Sequence, residues 1–117
     1  MKLVAGVGCS LGCPSDELRA LIATSLPVGE LVALATIDRR IDEPCVIEAA
    51  AALAVPLITY SADELARVSV PSPSDVVEHH VGTPSVAEAA ALLSGTRLIV
   101  NKRRSAHATC AVAEWQE

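Results

Sequence analysis

The sequence predicts an α/β fold: a three-layer α/β/α domain with a mixed, mainly parallel five-stranded sheet. Three observations carry that expectation. Lys2–Gly8 is a β-rich apolar run that reads as a buried strand, Glu30–Ile37 is apolar almost throughout, as a parallel strand is when covered on both faces, and Pro56–Tyr60 reads as a third strand. Helix-start signals fall between these runs. Two further runs, Leu98–Lys102 and Ala108–Ala113, lie only about five residues apart, a spacing that suits an antiparallel hairpin. The predicted order is βαβαβααββ.

Each element has its own reason. The first strand closes at Gly8 and a turn-forming stretch. Pro14 then opens a helix with Asp16 and Glu17 in its first turn, where the helix dipole favours acids, and with Leu18, Leu21 and Ile22 at helical spacing. That helix ends before Pro27. Asp42, with Pro44 just inside, starts a second helix that runs to about Ala54. After the third strand, Ser61-Ala-Asp-Glu64 has the capping-box pattern that begins a helix. Pro71-Ser-Pro-Ser74 reads as a connector to a short helix around Asp75–His79, and Thr83-Pro84 caps a longer helix to about Ser94. The alanine runs Ala49–Ala52 and Ala89–Ala91 suit helices that sit close to a sheet.

Composition narrows the function. The chain has 117 residues, 51% hydrophobic but only 2% aromatic, with one Trp, one Tyr and no Phe. One domain, residues 1–117, is the expectation at this length. Its core must be built from Val, Leu, Ile and Ala. Scarce aromatics argue against single-stranded nucleic-acid binding, which stacks bases on such rings, and against an aromatic-anchored protein interface. A net charge of −5 and a pI near 5.1 argue against a polyanion-binding surface, so neither nucleic acid nor a membrane is an expected partner. Mean hydropathy is +0.43, yet the longest apolar run, Ala49–Leu57, contains Pro56 and falls far short of the roughly 20 residues that span a bilayer. Leu3–Val7 runs into glycines without a cleavage-type site, so a cytoplasmic location is expected. Four cysteines without paired CxxC spacing do not form a disulfide scaffold.

In open α/β sheets, ligands bind beyond the carboxyl ends of the strands. That rule nominates Gly8–Pro14, Asp38–Glu43 and Asn101–Ser105. Of the nine Lys and Arg residues, five lie in the last two segments: Arg39, Arg40, Lys102, Arg103 and Arg104. On a shared edge they would make a local basic rim suited to carboxylates; as ordinary loop residues they would only be solvated. Gly6-Val-Gly8 with Asp38 imitates a dinucleotide fingerprint, but the third glycine is replaced by Leu11, and Gly6 is expected inside the strand. Cys9 and Cys13 flank a strand end beside a helix start, where they are either small residues packed in a turn or a reactive thiol. Adjacent histidines, such as His79 and His80, point about 100° apart on a helix, so no metal site and no cofactor are expected. Glu88 lies in a small, apolar helix as the fourth residue of a capping box, Ser85-Val-Ala-Glu88; a functional acid is the alternative. Ser74 with Glu78 reads as capping and a solvated face.

Taken together, Gly6-Val-Gly-Cys9 with Gly12, Ala35-Thr-Ile-Asp38 followed by Asp42-Glu-Pro44, Pro73-Ser-Asp-Val-Val77, Val81-Gly-Thr-Pro-Ser-Val-Ala-Glu-Ala-Ala-Ala-Leu92, and Lys102 with Ala108-Thr109 resemble the CobE/CbiG C-terminal domain family of cobalamin biosynthesis. The resemblance runs from about Leu3 to Val112. It implies an α/β domain that works on, or carries, a precorrin or cobalt-precorrin intermediate, with other enzymes of the pathway as candidate partners. CbiG proteins are cobalt-precorrin-5A hydrolases that open a lactone and release acetaldehyde, and they have further domains absent here. The family's loops carry over onto Gly8 and Cys9, Thr36 and Asp38, Glu43, Ser74, Thr83 and Glu88, and Lys102. Ser10 stands where a basic residue is expected, and Arg40 where Lys is expected.

Three readings follow. The leading one is binding of the tetrapyrrole, its carboxylates gripped by Arg39, Arg40, Lys102, Arg103 and Arg104, with Gly8 and Gly12 allowing close approach of the ring. The second is lactone hydrolysis with Asp38, Glu43 or Glu88 as general base and Lys102 stabilising an oxyanion. The third is a docking module for another pathway enzyme.

Overall fold

The structure is a computed structural model that describes residues 1–10, 12–38, 44–68 and 86–116. Its strands are β1 (Lys2–Cys9), β2 (Glu30–Ile37), β3 (Leu57–Tyr60), β4 (Gly95–Arg104) and β5 (Ala108–Trp115). Its helices are α1 (Ser15–Ser25), α2 (Pro44–Leu53), α3 (Ala62–Ala66) and α4 (Val86–Ser94). The start expected for the second helix at Asp42, the connector Pro71–Ser74, the helix around Asp75–His79 and the cap at Thr83-Pro84 lie outside the described residues, as do His79 and His80.

The strands form one sheet in the order β3-β2-β1-β5-β4. β1 pairs parallel with β2, and β2 with β3; β5 pairs antiparallel with both β1 and β4. Four strands therefore run one way and β5 alone runs against them. The hairpin does not simply extend the sheet. Its second strand slots in next to β1 and its first becomes the edge, so the carboxyl ends of β1, β2, β3 and β4 share one rim.

Side-chain alternation along the strands builds two cores. Leu3, Ala5 and Val7 of β1, with Cys110 and Val112 of β5, pack under Leu18, Leu21 and Ile22 of α1 and Cys45, Val46 and Ala49 of α2. On the other face, Val4, Ala33, Ala35, Ile37, Ala111 and Ala113 pack against Leu65 of α3 and Ala87, Ala89, Ala90 and Ala91 of α4. This is the three-layer arrangement; the fully buried part of the second core holds no aromatic ring, because the α4 face and the facing strands are mostly alanine, while Tyr60 and Trp115 pack at its margin. Gly6 makes the closest approach possible: a Cβ there would lie 1.9 Å from the Ala87 carbonyl oxygen and 2.7 Å from the Ala91 nitrogen. The glycine that imitates a nucleotide loop is thus a strand residue under a helix.

Boundaries shift in ways the backbone explains. Pro14 is the N-cap of α1, extended at φ −64° and ψ 138°, not its first helical residue; its carbonyl accepts from Glu17 and Leu18. Helix α2 stops at Leu53 because Ala54 turns left-handed at φ 56°. β4 begins at Gly95, directly after α4, and is twice the length expected from Leu98–Lys102; only Ser105–His107 separate it from β5. The capping box at Ser61 and Glu64 forms as its pattern predicts, each side chain binding the other residue's backbone N–H.

Candidate functional site

The shared rim brings together residues from three connections. Where β1 ends, Cys9 is half-buried and Ser10 is exposed, and the Ser10 backbone N–H donates to the His107 carbonyl at 2.8 Å. That bond ties the loop after β1 to the β4–β5 turn. Gly12, at φ +78°, sits where L side chains are rarely tolerated, and an added Cβ there would meet open space. Gly8 is closely faced by the protein itself: its Cβ would lie 2.9 Å from Thr109 Oγ1 and 3.7 Å from Val86 Cβ. At the end of β2, Asp38 is exposed, whereas Thr36 is fully buried and its hydroxyl donates to the Val7 carbonyl at 2.8 Å. The Thr36 hydroxyl therefore braces the β1–β2 pair. Arg39, Arg40, Glu43, Ser74 and Thr83 lie outside the described residues.

On the edge strand, the β4–β5 register slips between Val100 and Arg103. The Lys102 N–H at this irregularity is taken by Glu88 Oε2 at 2.9 Å, and Glu88 is fully buried. An extra residue in a ladder leaves backbone groups to be satisfied elsewhere, and the α4 carboxylate does this for Lys102. Glu88 thus acts on the backbone of the predicted basic segment. Within that segment, Arg103 sends Nη1 to the Thr24 carbonyl at 2.9 Å, on the last turn of α1, a favourable place for a cation. Lys102 and Arg104 form no ion pair among the described residues.

The rim also holds a cluster that sequence reasoning missed. Glu17, in the first turn of α1, accepts from the Ser105 hydroxyl, from the His107 backbone N–H at 2.6 Å, and meets His107 Nδ1 at 2.8 Å. These bonds, the Ser105 hydroxyl first, hold the Glu17 carboxyl down at about 2. The acid was legible only as a first-turn residue favoured by the helix dipole. Its partners are some ninety positions away, and the one available signal was that both segments border the nominated crevice.

Two thiols complete the rim. Cys45, the second residue of α2, is buried and directs its thiol to Cys9 Sγ at 3.3 Å. Cys13 is buried beside Pro14. Among the described residues, no three His, Cys, Asp or Glu side chains converge as a metal would require, and no helix is long and apolar enough to cross a membrane.

The sequence pattern of the family described as "Cobalamin synthesis G C-terminus" matches residues 3–113. Protein CobE of Sinorhizobium sp is 40% identical over 121 aligned positions, which cover 95% of this chain and 79% of that protein. A cobalt-precorrin-5A hydrolase of Priestia megaterium is 33% identical over 95% of this chain, but the chain spans only 32% of that enzyme. The crystal structure of CobE, described as a protein from the cobalamin (vitamin B12) biosynthetic pathway, superimposes with a TM-score of 0.87 at 37% identity, covering 97% of this chain and 90% of that one.

Proposed function

The chain belongs to the CobE/CbiG C-terminal family of cobalamin biosynthesis, and on that footing we propose that it binds a precorrin-type tetrapyrrole at the carboxyl edge of its sheet, as one domain. The observation that carries the reading is the common rim: three strands of one direction, β1, β2 and β4, bring Cys9–Ser10, Asp38 and Lys102–Ser105 to the same edge. Precorrins carry acetate and propionate groups around a broad ring. Lys102 and Arg104 supply cations for that periphery, and Arg39 and Arg40, which follow Asp38 in the sequence, are proposed as further ones. The ring face would rest on aliphatic side chains and backbone, since aromatic residues are only 2% of the sequence.

Binding is preferred to hydrolysis for a specific reason. The Glu88 carboxylate, one of three candidate bases, is buried and bonded to the Lys102 N–H, which leaves it poorly disposed to activate water. The hydrolase relative is also about three times longer than the region matched here.

The test is a titration of the protein with precorrin intermediates, followed by visible absorption. A saturable spectral shift without product supports binding. Acetaldehyde release favours hydrolysis, and no change with any intermediate favours a docking module. Arg40→Ala and Lys102→Ala should each weaken binding roughly tenfold, the worth of one charge-assisted contact. Unchanged affinity in both variants overturns the proposed site.

A further inference from the structure

We propose that Cys9 and Cys45 are a modification site: a thiol pair that peroxide converts into a reversible disulfide at the rim of the sheet. The inference is independent of the tetrapyrrole reading. The two sulfurs lie 3.3 Å apart, in direct hydrogen-bond contact, although their residues are 36 positions apart in sequence. Their environments differ in the way such a pair needs. Cys9, at the end of β1, is partly exposed and can meet a small oxidant; Cys45, in the first turn of α2, is 1% exposed and meets Cys9.

The chemistry balances in two steps. The Cys9 thiolate attacks one peroxide oxygen, the O–O bond breaks, and hydroxide leaves, giving Cys9 sulfenic acid. The Cys45 sulfur then attacks the Cys9 sulfur, the S–O bond breaks, and water leaves with the thiol proton. Two thiols are oxidised and one peroxide is reduced to two waters. A low-molecular-weight thiol reverses the bond by exchange, ending as its own disulfide. The link would tie the end of β1 to the start of α2.

The other two cysteines are internal controls. Cys110 is fully buried, and desolvation pushes its thiol up to about 12, so it holds little thiolate to react. Cys13 is 5% exposed.

The test is a peroxide challenge of the whole folded chain, followed by thiol counting and peptide mapping without reduction. Titratable thiols should fall from four to two, with one Cys9–Cys45 cross-link that dithiothreitol reverses. In Cys45→Ser, the Cys9 sulfenic acid has no resolving partner and should be captured by dimedone, which labels the parent protein little. In Cys9→Ser, the three remaining thiols should survive. The wild-type map alone decides if a variant does not fold. A Cys9–Cys13 bond, a bond between two copies, or Cys9 driven to sulfinic acid while Cys45 stays reduced would overturn the proposal.

Discussion

Glu88 and Lys102 are joined by a hydrogen bond that crosses between layers: the buried Glu88 carboxylate on α4 accepts the Lys102 backbone N–H at 2.9 Å, where the β4–β5 register slips. The bond makes the helix a support for the bulged edge strand. Removing it leaves a donor without its acceptor, and an orphaned group of this kind costs about 1 to 3 kcal/mol. Glu88→Ala should therefore lower the urea midpoint clearly. Glu88→Gln keeps an acceptor oxygen of nearly the same shape and should lose less. Equal midpoints for the wild type and Glu88→Ala would show that the contact contributes nothing.

The Glu17 cluster predicts acid sensitivity. In the folded state the Ser105 hydroxyl and the His107 ring and N–H hold the carboxyl at about 2, against an ordinary value of 4.5. A carboxyl depressed by folding adds stability above its unfolded value and loses it as pH falls towards the folded one. The contribution should be complete above 4.5 and fade from there down to about 2. Urea midpoints of the wild type and Glu17→Gln, measured across that interval, should differ at neutral pH and converge in acid. A constant difference would exclude the linkage.

Gly6 should not tolerate a methyl group. Its Cβ would fall 1.9 Å from a backbone oxygen of α4, and a helix backbone cannot swing aside as a side chain can. Gly6→Ala must displace α4 from β1, a change of the overpacking kind that costs about 1 to 3 kcal/mol or more. Gly8→Ala is the informative control. There the tight contact is Thr109 Oγ1 at 2.9 Å, a hydroxyl able to rotate away, so its melting temperature should fall less than that of Gly6→Ala.

These positions also mark how far the sequence could be read. The runs at Lys2 and Glu30 are long and apolar, and those strands lie where they do because burial on both faces demands such residues; the edge strand β3 is short and only partly buried. The Ser61 box is legible for the same kind of reason: its two partners are three residues apart. The place of β5 between β1 and β4 is not legible locally, because an apolar hairpin can dock through either strand. Long-range partners are hidden in the same way. Glu88 satisfies a capping pattern in sequence, yet its acceptor role depends on a register slip in a strand that follows its helix. Glu17 and His107 meet only because α1 and the β4–β5 turn reach the same rim.

Ala54 offers the opposite kind of test, a substitution that should stabilise. It ends α2 at φ 56°, a left-handed conformation that costs an L residue roughly 1 to 2 kcal/mol. The flanking bonds explain why the strain persists: the Val55 N–H reaches the Ala50 carbonyl and the Ala54 N–H reaches the Ala51 carbonyl, both at 3.1 Å. This is the Schellman arrangement, whose left-handed position is usually glycine. Ala54 is exposed, so removing its methyl loses little burial. Against the relief stands the greater freedom that glycine has when unfolded, worth about 0.4 to 1 kcal/mol. The net expectation for Ala54→Gly is a gain of about 0.5 to 1 kcal/mol. Ala51→Gly, three residues earlier and also exposed, lies within the helix and should lose about 1 kcal/mol. The same chemical change should thus move the urea midpoint in opposite directions at two neighbouring sites, and a loss of stability in Ala54→Gly would refute the left-handed cap.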